Sequence, residues 1–242
     1  DVFFDLGHPW ATTDAKADSV AYDPGDGRPI LNTALHEFGH ALGLGHEDQY
    51  FQVMGNAWNV VSTNGTSTES VISEDSSNGL IAHYGLRANV NQDLSLYHWE
   101  WAGASGAYST HARTPIQDGS GAALAAAPKL DPSLNEPAYY VSSGQTIKVR
   151  QTAENRGTSQ TVTIKWYLSS NSTLTTGDTL LATSSITKGR SVPFTWDRNV
   201  TLPGNLPLGS RWWVGAIIDS EGVLAEQNEI NNAVYIAEVV VQ

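Results

Sequence analysis

Eleven residues constrain this chain more than any other stretch: His36-Glu37-Phe38-Gly39-His40-Ala41-Leu42-Gly43-Leu44-Gly45-His46. Around them Leu31, Leu35, Phe38, Ala41 and Leu42 recur at helical spacing with no proline between, which predicts a helix over about 31–44. On a helix His36 and His40 project from one face a turn apart and can share one ion. Gly43-Leu44-Gly45 ends the helix, because glycine permits the left-handed backbone that turns a chain away, and Gly43 swings His46 back as a third ligand. Three neutral imidazoles leave one position open for water, as a catalytic zinc site requires. Glu37 stands beside them, close enough to bond that water without ligating the metal. Met54, the single methionine, follows His46 by eight residues in Gln52-Val53-Met54-Gly55.

What else the chain can do is narrowed by what it lacks. With no cysteine it has no disulfide, no thiolate metal site and no cysteine nucleophile, so a metal falls to histidine and carboxylate. All seven histidines lie in the first half, and His8, His83, His98 and His111 are expected on the surface or in a hairpin rather than as ligands. Residues 1–128 carry four basic and fifteen acidic side chains, leaving −11 of the net −12 there. A field of that sign repels phosphate backbones, which argues against nucleic acid as a partner. No apolar run reaches the roughly 18–20 residues of a membrane span. The first residues, Asp1-Val2-Phe3-Phe4-Asp5, carry neither the basic nor the apolar part of a signal peptide, as in a mature secreted protein.

Val2-Phe3-Phe4 and Val20-Ala21-Tyr22 read as short strands, the second followed by a turn at 23–27. Residues 55–70, rich in Ser, Thr, Asn and Gly, read as a long loop. Ser73 offers a helix N-cap, with Glu74 and Asp75 placed to meet the helix dipole, Leu80, Ile81 and Tyr84 as the buried face and Gly85 as the stop. Alternation over 94–101, a Gly-Ala-Ser-Gly turn and Tyr108–Thr114 predict an aromatic hairpin, and 119–128 a Gly/Ala-rich linker. From Leu130 the pattern is wholly β: Ile147/Val149, Val162/Ile164/Trp166/Leu168, Phe194/Trp196, Trp212/Val214/Ala216/Ile218 and Val234/Ile236 alternate with polar residues between turn clusters. That describes a β-sandwich of immunoglobulin type. The expected organisation is therefore 1–90 as the zinc-binding unit, 91–128 as hairpin and linker, and 129–242 as the sandwich.

The motif with Met54, and Ile72-Ser73-Glu74-Asp75 to Tyr84-Gly85 as a closing helix, resemble the metzincin zinc peptidases, the matrixin-like branch most closely. The resemblance covers roughly 20–85. It implies an α+β metzincin-type catalytic domain, N-terminally short, with His36, His40 and His46 as zinc ligands, Glu37 as general base and then acid, and Met54 as the apolar floor. Trp58, Val60 and Val61 fall where the family builds its specificity pocket. Two positions depart from the matrixin pattern: Glu47 stands where matrixins usually have Ser, and Gly55-Asn56 follow Met54 without the Tyr of other branches. With 35 residues before His36, an upstream segment or propeptide completing the catalytic domain is an expected partner. Calcium is a second expected ion, through Asp23, Asp26, Glu47, Asp48, Glu74 or Asp75. Residues 140–242 resemble the bacterial CARDB module, a fibronectin-like sandwich, through Glu154-Asn155-Arg156-Gly157, Trp166-Tyr167-Leu168-Ser169-Ser170, Gly177-Asp178-Thr179-Leu180-Leu181 and Glu226-Gln227-Asn228-Glu229-Ile230-Asn231-Asn232. The resemblances together imply a secreted bacterial zinc endopeptidase acting on protein or peptide substrates. The competing expectation is an adhesin or matrix-binding protein whose peptidase half is inactive.

Overall fold

The computed structural model describes residues 2–5, 7–19, 21–22, 28–86, 88 and 92–242, without the side chain of Ala57. Val20, the turn at 23–27 and the calcium candidates Asp23 and Asp26 lie outside them. Residues 2–4 form no strand, and Phe3 is 87% exposed: with no neighbouring backbone to pair, an apolar run does not become a strand. Ala21 and Tyr22 form a turn. The first pairing is instead parallel, between β1 (Trp10–Ala11) and β2 (Arg28–Pro29).

Pro29 then sets the entry to α1 (Ile30–Ala41). The helix buries Asn32, His36 and Gly39, whereas Leu31 (50%), Phe38 (51%) and Leu42 (43%) are exposed. The apolar periodicity marks the helix correctly, but its inward face is the one carrying His36. Residues 55–70 are not an open loop: β3 (Val61–Asn64) and β4 (Ser67–Ser70) form a hairpin closed by Gly65 at φ 70°. Thr63 and Thr68 are buried there because their hydroxyls find partners, Thr68 donating to the Asp14 carbonyl at 3.0 Å. In α2 (Glu74–Tyr84) the expected inward face holds only in part: Leu80 and Ile81 are half-buried, Glu74 and Ser76 are the buried residues, and Tyr84 is exposed and donates to the Leu42 carbonyl at 3.0 Å. Gly85 ends α2 at φ 80°.

The segment 91–128 divides. β5 (Leu94–Tyr97) leaves the expected hairpin and joins the sandwich; β6 (Trp99–Ser105) and β7 (Tyr108–Arg113) form the hairpin, and β8 (Ile116–Asp118) returns to the sandwich. Residues 119–128 are tied down by bridges from Ala123 to Gln117 and from Ala126 to Tyr139. The remaining strands are β9 (Ala138–Val141), β10 (Thr146–Asn155), β11 (Gln160–Ser169), β12 (Thr179–Lys188), β13 (Phe194–Thr201), β14 (Arg211–Ile218) and β15 (Ala233–Val241). One sheet runs β13-β10-β5 with β8 also on β10, the other β12-β11-β14-β15-β9. Ile147, Val149, Ile164, Trp166, Leu168, Val214, Ala216, Val234 and Ile236 fill the space between them, as the alternation requires. Trp196 packs half-buried against that core, and exposed Phe194 stacks on it, rings 5.4 Å apart.

Two buried polar seams weld the halves together. At the first, His98, fully buried rather than superficial, donates from Nδ1 to the Tyr235 carbonyl (2.7 Å), while its Nε2 meets Tyr22 (2.5 Å) and Arg113. Lys16 pairs with Glu136 at 2.9 Å beside it. Burial and the adjacent guanidinium hold the His98 pKa well below the usual histidine range. At the second, the N-terminus of α2 is capped from the sandwich: Glu74 N–H donates to Glu154 Oε1 (3.1 Å), and Asn155 N–H donates back to Glu74 Oε2 (3.1 Å). Lys188 Nζ lies 2.8 Å from Glu74, and Arg156 Nη1 3.0 Å from Glu154. Burial pushes the Glu154 pKa up to about 7. No helix among the described residues is long and apolar enough to cross a membrane.

Candidate metal centre

Gly39 explains how α1 meets its floor. A Cβ built there would lie 2.4 Å from Met54 Sδ, so only glycine lets the thioether press against the helix backbone. Met54 is itself buried, in a small core with Phe51, Val53, Val60 and Val61. The contact brings the Val53 carbonyl within 2.8 Å of His36 Nδ1. A carbonyl only accepts, so Nδ1 carries the proton and Nε2 presents its lone pair. His40 is set the same way by the Leu44 carbonyl, 2.9 Å from its Nδ1.

Leu44 is placed by the helix end. Gly43 takes φ 92°, its N–H returns to the His40 carbonyl (3.0 Å), and Leu44 N–H returns to the Gly39 carbonyl (2.9 Å). This paired 5→2 and 6→1 closure turns the chain so that His46 Nε2 arrives 3.0 Å from His40 Nε2. One nitrogen from each of His36, His40 and His46 then lies within 4.8 Å of the others. Partial desolvation, then the neighbouring His40 and His36, hold the His46 pKa below the usual histidine range, which favours the neutral, ligating form. Three neutral nitrogen donors with two of their rings fixed by backbone carbonyls suit zinc and leave room for a fourth ligand.

Beside the triad opens a cleft of about 470 Å³ lined by Glu37, His36, Thr33, Trp58, Tyr108 and Thr110, among others. Glu37 thus faces the space that a water or substrate would enter. The Arg28 guanidinium lies 4.2 Å from the centre of the Trp58 ring on the same wall. Trp58 lines the cleft as expected, whereas Val60 and Val61 are wholly core. All five residues singled out by the motif therefore converge. Of the calcium candidates, Glu74 is spent on Lys188 and Glu47 accepts from the amides of Asp48 and Gln49.

The motif gave no sign of Tyr108, at the tip of the β6–β7 hairpin, whose ring centre lies 4.1 Å from that of His46. Nor did it point to His111 on β7, which accepts at Nε2 from Ser109 Oγ (3.0 Å) and meets Asn59 Oδ1 at 2.6 Å through Nδ1. Burial alone lowers the His111 pKa to about 3. The hairpin itself is the one the alternation and the Gly-Ala-Ser-Gly turn predict, and Gly106 takes φ 63° at its turn.

A histidine triad on and after one helix, with a carboxylate beside it and a methionine beneath, forms a solvent-accessible cluster that could hold one metal ion. In agreement, the Matrixin peptidase family model matches residues 1–85. No curated protein matches the chain. Among solved structures, the CARDB domain of a Pyrococcus furiosus protein, crystallised in complex with di-metal ions, is similar at 15% identity and a TM-score of 0.36, covering 64% of this chain and 95% of that one. The same domain solved by NMR gives 15% identity and a TM-score of 0.36, covering 63% and 98%.

Proposed function

We propose that the protein is a secreted zinc-dependent endopeptidase that cleaves peptide bonds of protein substrates. The observation that carries this reading is the convergence of His36, His40 and His46 beside one open cleft that His36 and Glu37 line. The matrixin match over 1–85 supports the same class. Zinc at this centre supplies Lewis acidity toward the scissile carbonyl and the attacking water. A Glu37 carboxylate oxygen takes the proton of that water and delivers it to the departing amine nitrogen. The carbonyls of Val53 and Leu44 keep His36 and His40 in their ligating tautomers throughout. The cleft wall of Thr33, Trp58 and Thr110 receives the substrate chain.

The test is cleavage of a denatured protein at matched zinc loading, comparing wild type with Glu37→Ala, each with and without a chelator. The expected result is cleavage by zinc-loaded wild type alone, with Glu37→Ala down at least about 10²-fold and still holding one zinc. Undiminished turnover in Glu37→Ala overturns the role of Glu37. Saturable binding of a protein or glycan by the zinc-loaded wild type without any cleavage would establish the adhesin reading instead.

A further inference from the structure

The three ligands are not held alike. His36 and His40 each have Nδ1 on a backbone carbonyl. For His46, exposed at the end of the turn, no such carbonyl bond is formed among the described residues, yet a ligand of fixed geometry needs its ring oriented. What lies against it is the ring of Tyr108, at 4.1 Å and 38°, and the same ring runs nearly parallel to His36 at 6.4 Å and 18°.

Tyr108 is held there by a built strap. Next to it, Ser109 N–H donates to the Glu47 carbonyl (2.8 Å), and the Ser109 carbonyl accepts from Asn56 N–H (3.0 Å). One residue of β7 is thus bonded to both ends of the loop that runs from the third ligand past Met54. Trp101 on β6 adds a bond from its indole N–H to the Asp48 carbonyl (2.9 Å). Gln52 N–H reaches His111 Nε2 at 3.4 Å. At Gly55 the approach is close enough that a Cβ would collide with the Ser109 hydroxyl and Cβ, so the loop admits the strap only because glycine stands there. The strap comes from residues 99–113, beyond the 1–85 matched to the peptidase family.

We propose that Tyr108 is a positioning residue for the metal, its ring fixing the His46 imidazole, so that the β6–β7 hairpin completes the centre. The proposal rests on the reading of His36, His40 and His46 as one metal site. Ring stacking, and not the hydroxyl, does the positioning, so phenylalanine substitutes for tyrosine.

Zinc affinity measured by competition with a chromogenic chelator tests this on the full chain, using wild type, Tyr108→Phe, Tyr108→Ala and Tyr108→Leu. Cobalt(II) absorption spectra of the same proteins report the ligand geometry independently of turnover. The alanine and leucine variants are expected to bind zinc about tenfold more weakly, within the 10–100-fold range of lost ligand-orienting contacts, with an altered cobalt spectrum. Tyr108→Phe is expected to stay within about twofold of wild type and to keep its spectrum. Leucine keeps the bulk of the side chain, so it carries the test if the alanine variant fails to fold. Wild-type affinity and spectrum in the alanine or leucine variant overturn the proposal, and so does an equal loss in Tyr108→Phe. Failure of the wild type to bind zinc at all overturns both this proposal and the peptidase reading. Zinc-dependent cleavage by wild type together with full affinity in Tyr108→Ala overturns this proposal alone.

Discussion

The two helices of the first half do opposite things with their charged and titratable groups. α1 carries buried His36 and half-buried His40, with His46 exposed beyond its end and Glu37 facing an open cleft. α2 begins with a buried carboxylate: Glu74 and Glu154 are both fully buried, Glu154 accepting from the Glu74 amide, Glu74 from the Asn155 amide, and each is matched to one cation. The first arrangement leaves a group free to act on something that arrives; the second spends every lone pair on holding two parts of the chain together. Glu37 faces an open cleft whereas Glu74 is buried against Lys188, so placement and not residue type separates them: both helices carry Glu and His.

That contrast can be broken at its strongest point by Lys188→Met, which leaves the Glu74 carboxylate buried without its cation. Urea unfolding is expected to show a loss of about 3–5 kcal/mol. His46→Ala in metal-free protein, at the exposed end of α1, is expected to stay within about 0.5 kcal/mol. Equal effects at the two positions would erase the distinction.

The pH dependence of unfolding sharpens it next. Glu154, raised to about 7 in the folded state by burial, binds its proton more tightly folded than unfolded, so its contribution is full below the ordinary glutamate range and is lost as pH climbs through about 7. Glu226, also raised to about 7 by burial, adds to that slope. His111, lowered by burial to about 3, acts the other way: its contribution is present above the ordinary histidine value and is lost as pH falls toward about 3. Glu154→Gln should therefore weaken the decline between about pH 4.5 and 7 and let the histidine-driven rise stand out. An unchanged profile in that variant would remove Glu154 from the explanation.

Gly39→Ala should cost about 1–3 kcal/mol, because the new methyl group meets Met54 Sδ and the packed floor has little room to yield. A gain in stability, as alanine gives in an unconstrained helix, would show that the sulfur moves aside. A smaller effect than at Gly39 is expected at the half-exposed pair of Arg150 with Asp197, 2.6 Å apart, where Arg150→Ala should change stability by less than about 1 kcal/mol.

The same contrast decides what could be seen in the sequence. The metal centre is legible because its parts fall within nineteen residues and each has a local reason: the four-residue spacing of His36 and His40, the positive φ of Gly43, and the methionine against Gly39. The seam at α2 is not, because Glu74 finds its partners 80 and 114 residues away. From its neighbours alone it looks like a first-turn acid serving the helix dipole. The sandwich core followed its alternation from Ile147 to Ile236, while β5 was hidden inside an aromatic run whose alternation continues into β6. β3 and β4 were concealed by composition, since Ser62, Thr63 and Thr68 are polar yet buried; the Asn64-Gly65 pair was the available turn signal. Periodicity in α1 reported an apolar stripe and was silent on whether anything covers it.

The reciprocal bonding of Glu74 with Glu154 and Asn155 has a consequence for how such a chain can be recombined. A splice that kept residues 1–85 and exchanged everything after them would strand Glu74 without Glu154, Asn155 and Lys188, and would discard the hairpin seated on the histidines. The boundary of the recognisable segment is therefore not a cutting line: the helix pair is tied to residues 94–113 and to the four residues of the sandwich, Glu154, Asn155, Lys188 and Ser191, that answer Glu74.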